Sequence, residues 1–184
     1  MKGRIWTVPN QITILRLGFL PFFLILVFYE EYHWALAVLV FVALTDAIDG
    51  FLARRLHQKS ALGAYLDPIA DKLLLSSSYF ELALHGKITW WLTILVLGRD
   101  VLLLVASAVI LITVGYMSLP PSLYGKATTF FEITMIFLVL VLALQDNHAL
   151  YMVKEICGYC VAVFVCISGV HYSIVVSRRL HTGG

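Results

Sequence analysis

Charge is scarce in this chain. Only 13% of its 184 residues are Asp, Glu, Lys or Arg, against 61% that are hydrophobic, and the mean hydropathy is +0.92. Those values exclude an ordinary soluble domain and point to a membrane protein. Long polar segments are missing too: the breaks between apolar runs are YEEYHW, LHQKS, HGK, SLPPS and QDNH, which leave no room for a separate soluble domain. There is no internal repeat, low-complexity segment or glycine-rich phosphate loop. Cysteine is limited to Cys157, Cys160 and Cys166. Cys157 and Cys160 form a C-x-x-C, but without a second pair, inside an apolar run, they read as small packing residues rather than a redox or zinc motif.

What the chain has is apolar length. Runs at roughly 10–29, 34–56, 61–84, 88–114, 123–144 and 149–177 each suffice to cross a bilayer. The expected fold is therefore an all-α integral membrane protein of six transmembrane helices, a single domain over residues 1–184 with sequence neighbours antiparallel. A cleaved signal peptide is the rival reading of the first run, since Lys2 and Arg4 precede it and Ala35-Leu-Ala37 vaguely resembles a cleavage site. Arg16 interrupts that run and YEEYHW separates it from the triplet, so the first span is kept as a helix.

Basic residues set the orientation. With the N-terminus in the cytosol, Lys2, Arg4, Arg54, Arg55, Lys59, Lys126, Arg178 and Arg179 fall on one side, Lys87 and Lys154 on the other. Both termini are expected on the cytosolic face, where the basic groups favour anionic headgroups.

Four aspartates stand against this background, in DAIDGFLARRLHQKSALGAYLDPIAD, residues 46–71. Asp46 and Asp49 are three apart and Asp67 and Asp71 four apart, so on helices each pair shares a face. Asp46, Asp49, Gly50, Ala53 and Arg54 fall within an arc of about 140°, and Gly63, Asp67 and Asp71 within about 80°. Counted from Gln58, Asp49 lines up with Asp67 and Asp46 with Asp71 across an antiparallel hairpin. An Asp inside a membrane costs about 2.5–3.5 kcal/mol on insertion scales. Protonation, basic partners or a bound cation would relieve the repulsion among four, and carboxylate oxygens suit Mg²⁺, Mn²⁺ or Ca²⁺. With Arg54 on the same face, and Gly50 and Gly63 leaving space, the pattern reads as a site for a metal and a pyrophosphate. Helix caps, or a salt-bridge network with Arg54, Arg55 and Lys72, are the structural alternative, but caps belong at helix ends and these residues sit two to three turns inside. Pro68 is expected to kink the third span.

At every fixed position, Asp46-x2-Asp49-Gly50-x2-Ala53-Arg54-x8-Gly63-x3-Asp67-x3-Asp71 is similar to the signature of the CDP-alcohol phosphatidyltransferases. The opening PNQITILR, Pro9 to Arg16, resembles the phosphatidylglycerophosphate synthase and cardiolipin synthase branches. The resemblance implies two divalent cations, Mg²⁺ or Mn²⁺, held by Asp46, Asp49, Asp67 and Asp71. It also implies a pyrophosphate of CDP-diacylglycerol on those ions, and Asp71 as the base that deprotonates the attacking alcohol. Gly50, Ala53, Arg54 and Gly63 would lie against the cytidine and phosphates with Asp49. Asn10 and Thr13, which share a face of the first helix with Arg16, would line the nucleotide pocket, unless Asn10 only caps the helix. A homodimer in the inner or cytoplasmic membrane, with its active site facing the cytosol, is what the family leads one to expect. Nucleic acid is not among the expected partners.

The acceptor is less legible. Glycerol 3-phosphate is anionic and calls for fixed positive charge, for which Arg99, in VLGRDVLLL, and Lys126, in LYGKATTF, are the candidates. Arg99 has a rival role in an ion pair with Asp100, although adjacent helix residues diverge by about 100°, and Lys126 has one in snorkelling to the interface. The fourth span departs from the commonest bacterial phosphatidylglycerophosphate synthases, whose Arg-Glu is followed by a second Arg. GRDVLLL looks more like the eukaryotic-type cardiolipin synthases, which use phosphatidylglycerol. The expectation is glycerol 3-phosphate, with phosphatidylglycerol as the alternative. An ion-coupled transporter also places aspartates in helices, but the outer halves of the spans have few ionisable groups beyond Glu81, and a lipid-binding scaffold has no need of four carboxylates. The histidines, mostly at span ends without ligand spacing, read as interfacial.

Overall fold

The computed structural model describes the backbone of residues 8–56, 61–114, 123–145 and 147–182, and side chains over 15, 17–45, 72–106, 123–145 and 147–174. The described residues form six helices: α1 (Val8–Phe28), α2 (Tyr32–Leu56), α3 (Ala61–Leu84), α4 (Trp90–Val114), α5 (Leu123–Leu144) and α6 (His148–Thr182). They fall close to the six apolar runs. The main departure is α6, which continues through Arg178 and Arg179 beyond its apolar stretch, because backbone hydrogen bonding ends a helix while hydrophobicity only ends a span. Among the described residues, α5 and the stretch His148–Ile174 of α6 are long and apolar enough to cross a membrane.

The chain divides into two compact units, one of α1–α3 with the last residues of α5, the other of α4, most of α5 and α6. In the first unit α1 packs on both α2 and α3. It buries Phe23 and Val27, four residues apart, while α2 buries Tyr32, Ala35 and Leu39, and α3 buries Leu75, Tyr79, Leu82 and Ala83. These are single helical stripes. The opposite face of α1 is equally apolar: Phe22, Ile25 and Phe28 are 55%, 52% and 61% exposed. A helix that is greasy on its outward face suits hydrocarbon as its solvent.

Two chain reversals of the first unit use the same hydrogen-bond pattern. At the end of α1, the Glu31 N–H donates to the Leu26 carbonyl (2.9 Å) and Glu30 to Val27 (3.0 Å). At the end of α3, Lys87 donates to Leu82 (2.9 Å) and Gly86 to Ala83 (3.0 Å). Both are Schellman closures, which need a left-handed residue. Gly86 supplies it at φ 67°, whereas Glu30 adopts φ 59° with a side chain attached. His85 joins the two ends. Its Nε2 lies 3.3 Å from the Phe28 carbonyl, one of the acceptors α1 leaves unpaired, and its Nδ1 lies 3.0 Å from the Glu81 carbonyl. The Lys87 ammonium sits 5.2 Å from the centre of the Tyr32 ring. His85 is thus a tie between the ends of α1 and α3.

In the second unit α4 packs on α6. Leu92 and Val96 of α4, Met135, Ile136 and Val139 of α5, and Cys157, Val161 and Val165 of α6 are buried at three- and four-residue spacings. Gly158 marks the close approach, since a Cβ there would meet Leu92 Cδ2 at 3.6 Å and Met135 Cε at 3.7 Å. Phe131 and Phe164 stack at 4.9 Å. The cysteines are free, with Cys157 buried and its Sγ 3.7 Å from the Phe131 carbonyl, as packing residues would be. Asn147 caps α6, its Oδ1 accepting from the Ala149 N–H at 2.9 Å.

The two reversals give a paired expectation. A left-handed non-glycine residue is strained by roughly 1–2 kcal/mol, so Glu30→Gly should raise the melting temperature of the detergent-purified protein. Gly86→Val should lower it. A Glu30→Gly protein that melts lower would contradict the strain at this turn.

Candidate functional site

The backbone is helical at Asp46, Asp49, Gly50, Ala53 and Arg54 on α2, and at Gly63, Asp67 and Asp71 on α3. The three- and four-residue spacings therefore run along helices and not across a turn. Asn10 is the third residue of α1 and Thr13 the sixth, which puts Asn10 inside the first turn. The side chains of Asn10, Thr13, Asp46, Asp49, Gly50, Ala53, Arg54, Gly63, Asp67 and Asp71 lie outside the described residues, while the backbone of α3 stays helical through Pro68. Among the described residues no three His, Cys, Asp or Glu side chains gather as metal ligands. The aspartate quartet is the chain's candidate for that role.

The second unit holds a buried polar layer that includes Arg99. Arg99 is 6% exposed, Asp100 3%, and Thr128, Glu132 and Ser168 are fully buried. The Arg99 Nη1 donates to Asp100 Oδ1 at 2.8 Å, and Nη2 donates to Ser168 Oγ at 3.0 Å. The Thr128 hydroxyl lies 2.8 Å from the Tyr124 carbonyl and 3.2 Å from that of Phe164, joining α5 to α6. Adjacency on the helix made Arg99 and Asp100 awkward partners by sequence, and here the structure corrects that expectation. The 100° separation describes Cα–Cβ directions, whereas a guanidinium on a long flexible stem swings back across it. The positive charge of Arg99 is therefore already matched. Lys126 is exposed at the start of α5 and does not line the cavity beside Arg99.

That cavity, of about 900 Å³, runs between α4 and α6, with Arg99, Gly98 and Gly169 in a lining otherwise dominated by apolar side chains. Sequence reasoning passed over Ser168, Thr128 and Glu132. Glu132 carried a signal, being an acid within the apolar run FFEITMIF. Ser168 carried none, because a serine in an apolar helix usually bonds its own backbone. Removing one member of a buried ion pair costs about 3–5 kcal/mol, against about 1 kcal/mol for a neutral hydrogen bond. Asp100→Ala should therefore destabilise the purified protein far more than Ser168→Ala in thermal unfolding, and equal losses would mean that the pair is not buried as described.

A family model described as CDP-alcohol phosphatidyltransferase matches residues 6–168. A putative cardiolipin synthase of Mycobacterium tuberculosis is 38% identical over 130 residues, which are 70% of this chain and 62% of that protein. The cardiolipin synthase (CMP-forming) of Homo sapiens is 40% identical over 116 residues, 62% of this chain and 37% of that one. The chain thus spans less than two thirds of the length of either. A CDP-diacylglycerol–glycerol-3-phosphate 3-phosphatidyltransferase of Aquifex aeolicus is 32% identical over 172 residues, 91% of this chain and 94% of its relative. With the family model covering all four aspartates and five of the six helices almost throughout, the chain belongs to the CDP-alcohol phosphatidyltransferase family.

Proposed function

We propose that this protein transfers a phosphatidyl group from CDP-diacylglycerol to glycerol 3-phosphate, giving phosphatidylglycerophosphate and CMP. The observation that carries this reading is the unbroken aspartate signature, set on two helical segments inside the region that matches the family. The likeness to the Aquifex aeolicus enzyme over nearly the full length of both chains supports the acceptor. We read the chain as one membrane domain of six spans in the cytoplasmic membrane, a homodimer with its site facing the cytosol. The excess of Lys and Arg on one set of helix ends supports that orientation.

The donor set fits a hard divalent cation: four carboxylates and no soft ligand, the chemistry that holds Mg²⁺ or Mn²⁺. Asp46, Asp49, Asp67 and Asp71 would hold two such ions, which when bound supply charge neutralisation at the pyrophosphate and the departing CMP. The chain's own residues do the rest. Gly50 and Gly63, lacking side chains, admit the nucleotide, with Asn10, Thr13, Ala53 and Arg54 around it. Asp71 takes the proton from the acceptor hydroxyl. The hydroxyl oxygen bonds to the β-phosphorus, the bond from that phosphorus to the CMP oxygen breaks, and CMP leaves with the electron pair. Lys126 and Arg99 meet the phosphate of the acceptor, and of the two Lys126 brings the exposed charge.

A second reading is transfer to phosphatidylglycerol, as in a cardiolipin synthase. The observation in its favour is that after Arg99-Asp100 no basic residue follows in α4, up to Val114.

CMP release by the detergent-purified chain with CDP-diacylglycerol and Mg²⁺ tests the proposal. Release with glycerol 3-phosphate but not with phosphatidylglycerol is expected, and the reverse would make the second reading correct. Chelation should abolish release, and added Mg²⁺ or Mn²⁺ should restore it. Asp71→Asn should cut turnover by at least a hundredfold; unchanged turnover would remove Asp71 as the base. Wild-type activity in Gly50→Leu would sink the nucleotide assignment.

A further inference from the structure

The ends of two helices converge on one imidazole ring. Phe28 is the last residue of α1, and His85 directly follows α3, which ends at Leu84. The His85 Nε2 lies 3.3 Å from the Phe28 carbonyl, and Nδ1 lies 3.0 Å from the Glu81 carbonyl. The Glu81 carbonyl also accepts from the His85 backbone N–H at 3.2 Å, which its two lone pairs allow. Both ring nitrogens therefore face acceptors. A neutral imidazole has one N–H and one lone pair, so in either tautomer one nitrogen turns its lone pair on a carbonyl oxygen. Only the imidazolium donates to both.

Two further features favour the charged ring. The last carbonyls of a helix form the negative end of its dipole, and here two such ends meet the same side chain. Glu81 Oε1 stands 3.8 Å from Nδ1, is buried, and has no hydrogen-bond partner. A buried carboxylate is costly without a cation, and the imidazolium supplies one. The other charged and titratable groups at this end are engaged elsewhere or exposed. Lys87 turns its ammonium to the Tyr32 ring at the start of α2, 5.2 Å from its centre. Tyr29, Glu30 and Glu31, at the reversal from α1 to α2, and His33 on α2 are exposed. The His85 side chain keeps 18% of its surface exposed, so water can deliver and remove its proton.

We propose that His85 is a proton-operated clasp between α1 and α3. With both nitrogens protonated it engages the Phe28 carbonyl, the Glu81 carbonyl and the Glu81 carboxylate at once, and locks the two helix ends together. When the ring gives up a proton, one carbonyl contact turns repulsive and the carboxylate loses its counter-charge. The lock then loosens. The closed form holds the proton and opening releases it, so acid favours closure and the stability it adds is lost as pH rises. Histidine is the side chain whose charge ordinarily changes between pH 5 and 8, which puts the device in a physiological range. The clasp lies far from the candidate site, since Asp71 is about 21 Å before it along α3 at 1.5 Å per residue. It couples the packing of α1 on α3 to pH and holds whichever alcohol reacts.

The test is a double-mutant cycle of His85→Gln and Glu81→Gln in the full, detergent-purified chain, read by thermal unfolding at about pH 6 and about pH 8.5, on either side of the histidine range. Glutamine keeps a donor but takes no charge. At the lower pH each substitution alone should lower the melting temperature by about 2–4 °C, and the two together by little more than either. At the higher pH that coupling should vanish. A merely structural tie would give the same coupling at both, and that result would overturn the proposal. The ring itself is read in the otherwise unaltered chain by NMR with nitrogen-15 histidine, its signal being the one missing from His85→Gln or His85→Asn. Two protonated ring nitrogens are expected at the lower pH and one at the higher. A single protonated nitrogen at the lower pH, or two retained at the higher, would overturn the switch whatever the melting curves show.

Discussion

Backbone polar groups have no water to turn to inside hydrocarbon, and the organisation of this chain follows from that constraint. Helices meet it locally, residue by residue, whatever the side chains do. The sequence can then be apolar on nearly every side of a helix, as in α1, where Phe23 and Val27 face inward while Phe22, Ile25 and Phe28 face out. The places where a helix must stop are the places where the constraint bites. There the chain spends specific interactions: a left-handed Glu30 and Gly86 to close α1 and α3, His85 against the Phe28 carbonyl, and Asn147 at the start of α6.

Hydroxyl groups obey the same rule. Thr45, Ser78, Thr129, Thr134 and Ser173 each return their proton to the carbonyl four residues back, so a polar side chain in an apolar helix need not signal a site. Ser168 differs in accepting from Arg99 on another helix, and Thr128 in reaching the Phe164 carbonyl of α6 as well as the Tyr124 carbonyl four residues back. Together with the Arg99–Asp100 pair they tie α4, α5 and α6 through a buried polar layer. Such a layer is expensive to bury and contributes specificity more than net stability, which fits a unit whose helices otherwise meet through interchangeable aliphatic contacts.

Apolar runs and polar breaks were enough to place all six helices, since length and hydropathy act through local terms. The family signature was equally plain, because four carboxylates in an apolar segment violate the composition around them. The details of the second unit were less accessible. The angular argument against Arg99 pairing with Asp100 treated side chains as rigid spokes, and the long arginine stem defeats it. Ser168 lies 69 residues from Arg99, and no local pattern connects them. The strained Glu30 was hidden because YEEYHW reads as a generic polar break, with no glycine to mark the turn.

By itself the sequence determined where the chain is helical, that it favours a hydrocarbon environment, and that Asp46, Asp49, Asp67 and Asp71 recur at helical spacing on consecutive helices, because each depends on residues within a few turns of one another. Only the tertiary structure decided that Arg99 is charge-matched by its neighbour and held by α6, that His85 closes the end of α1, and that a lined cavity opens between α4 and α6. Those features depend on side-chain reach and on which helix faces meet, and neither is encoded in the periodicity of any single segment.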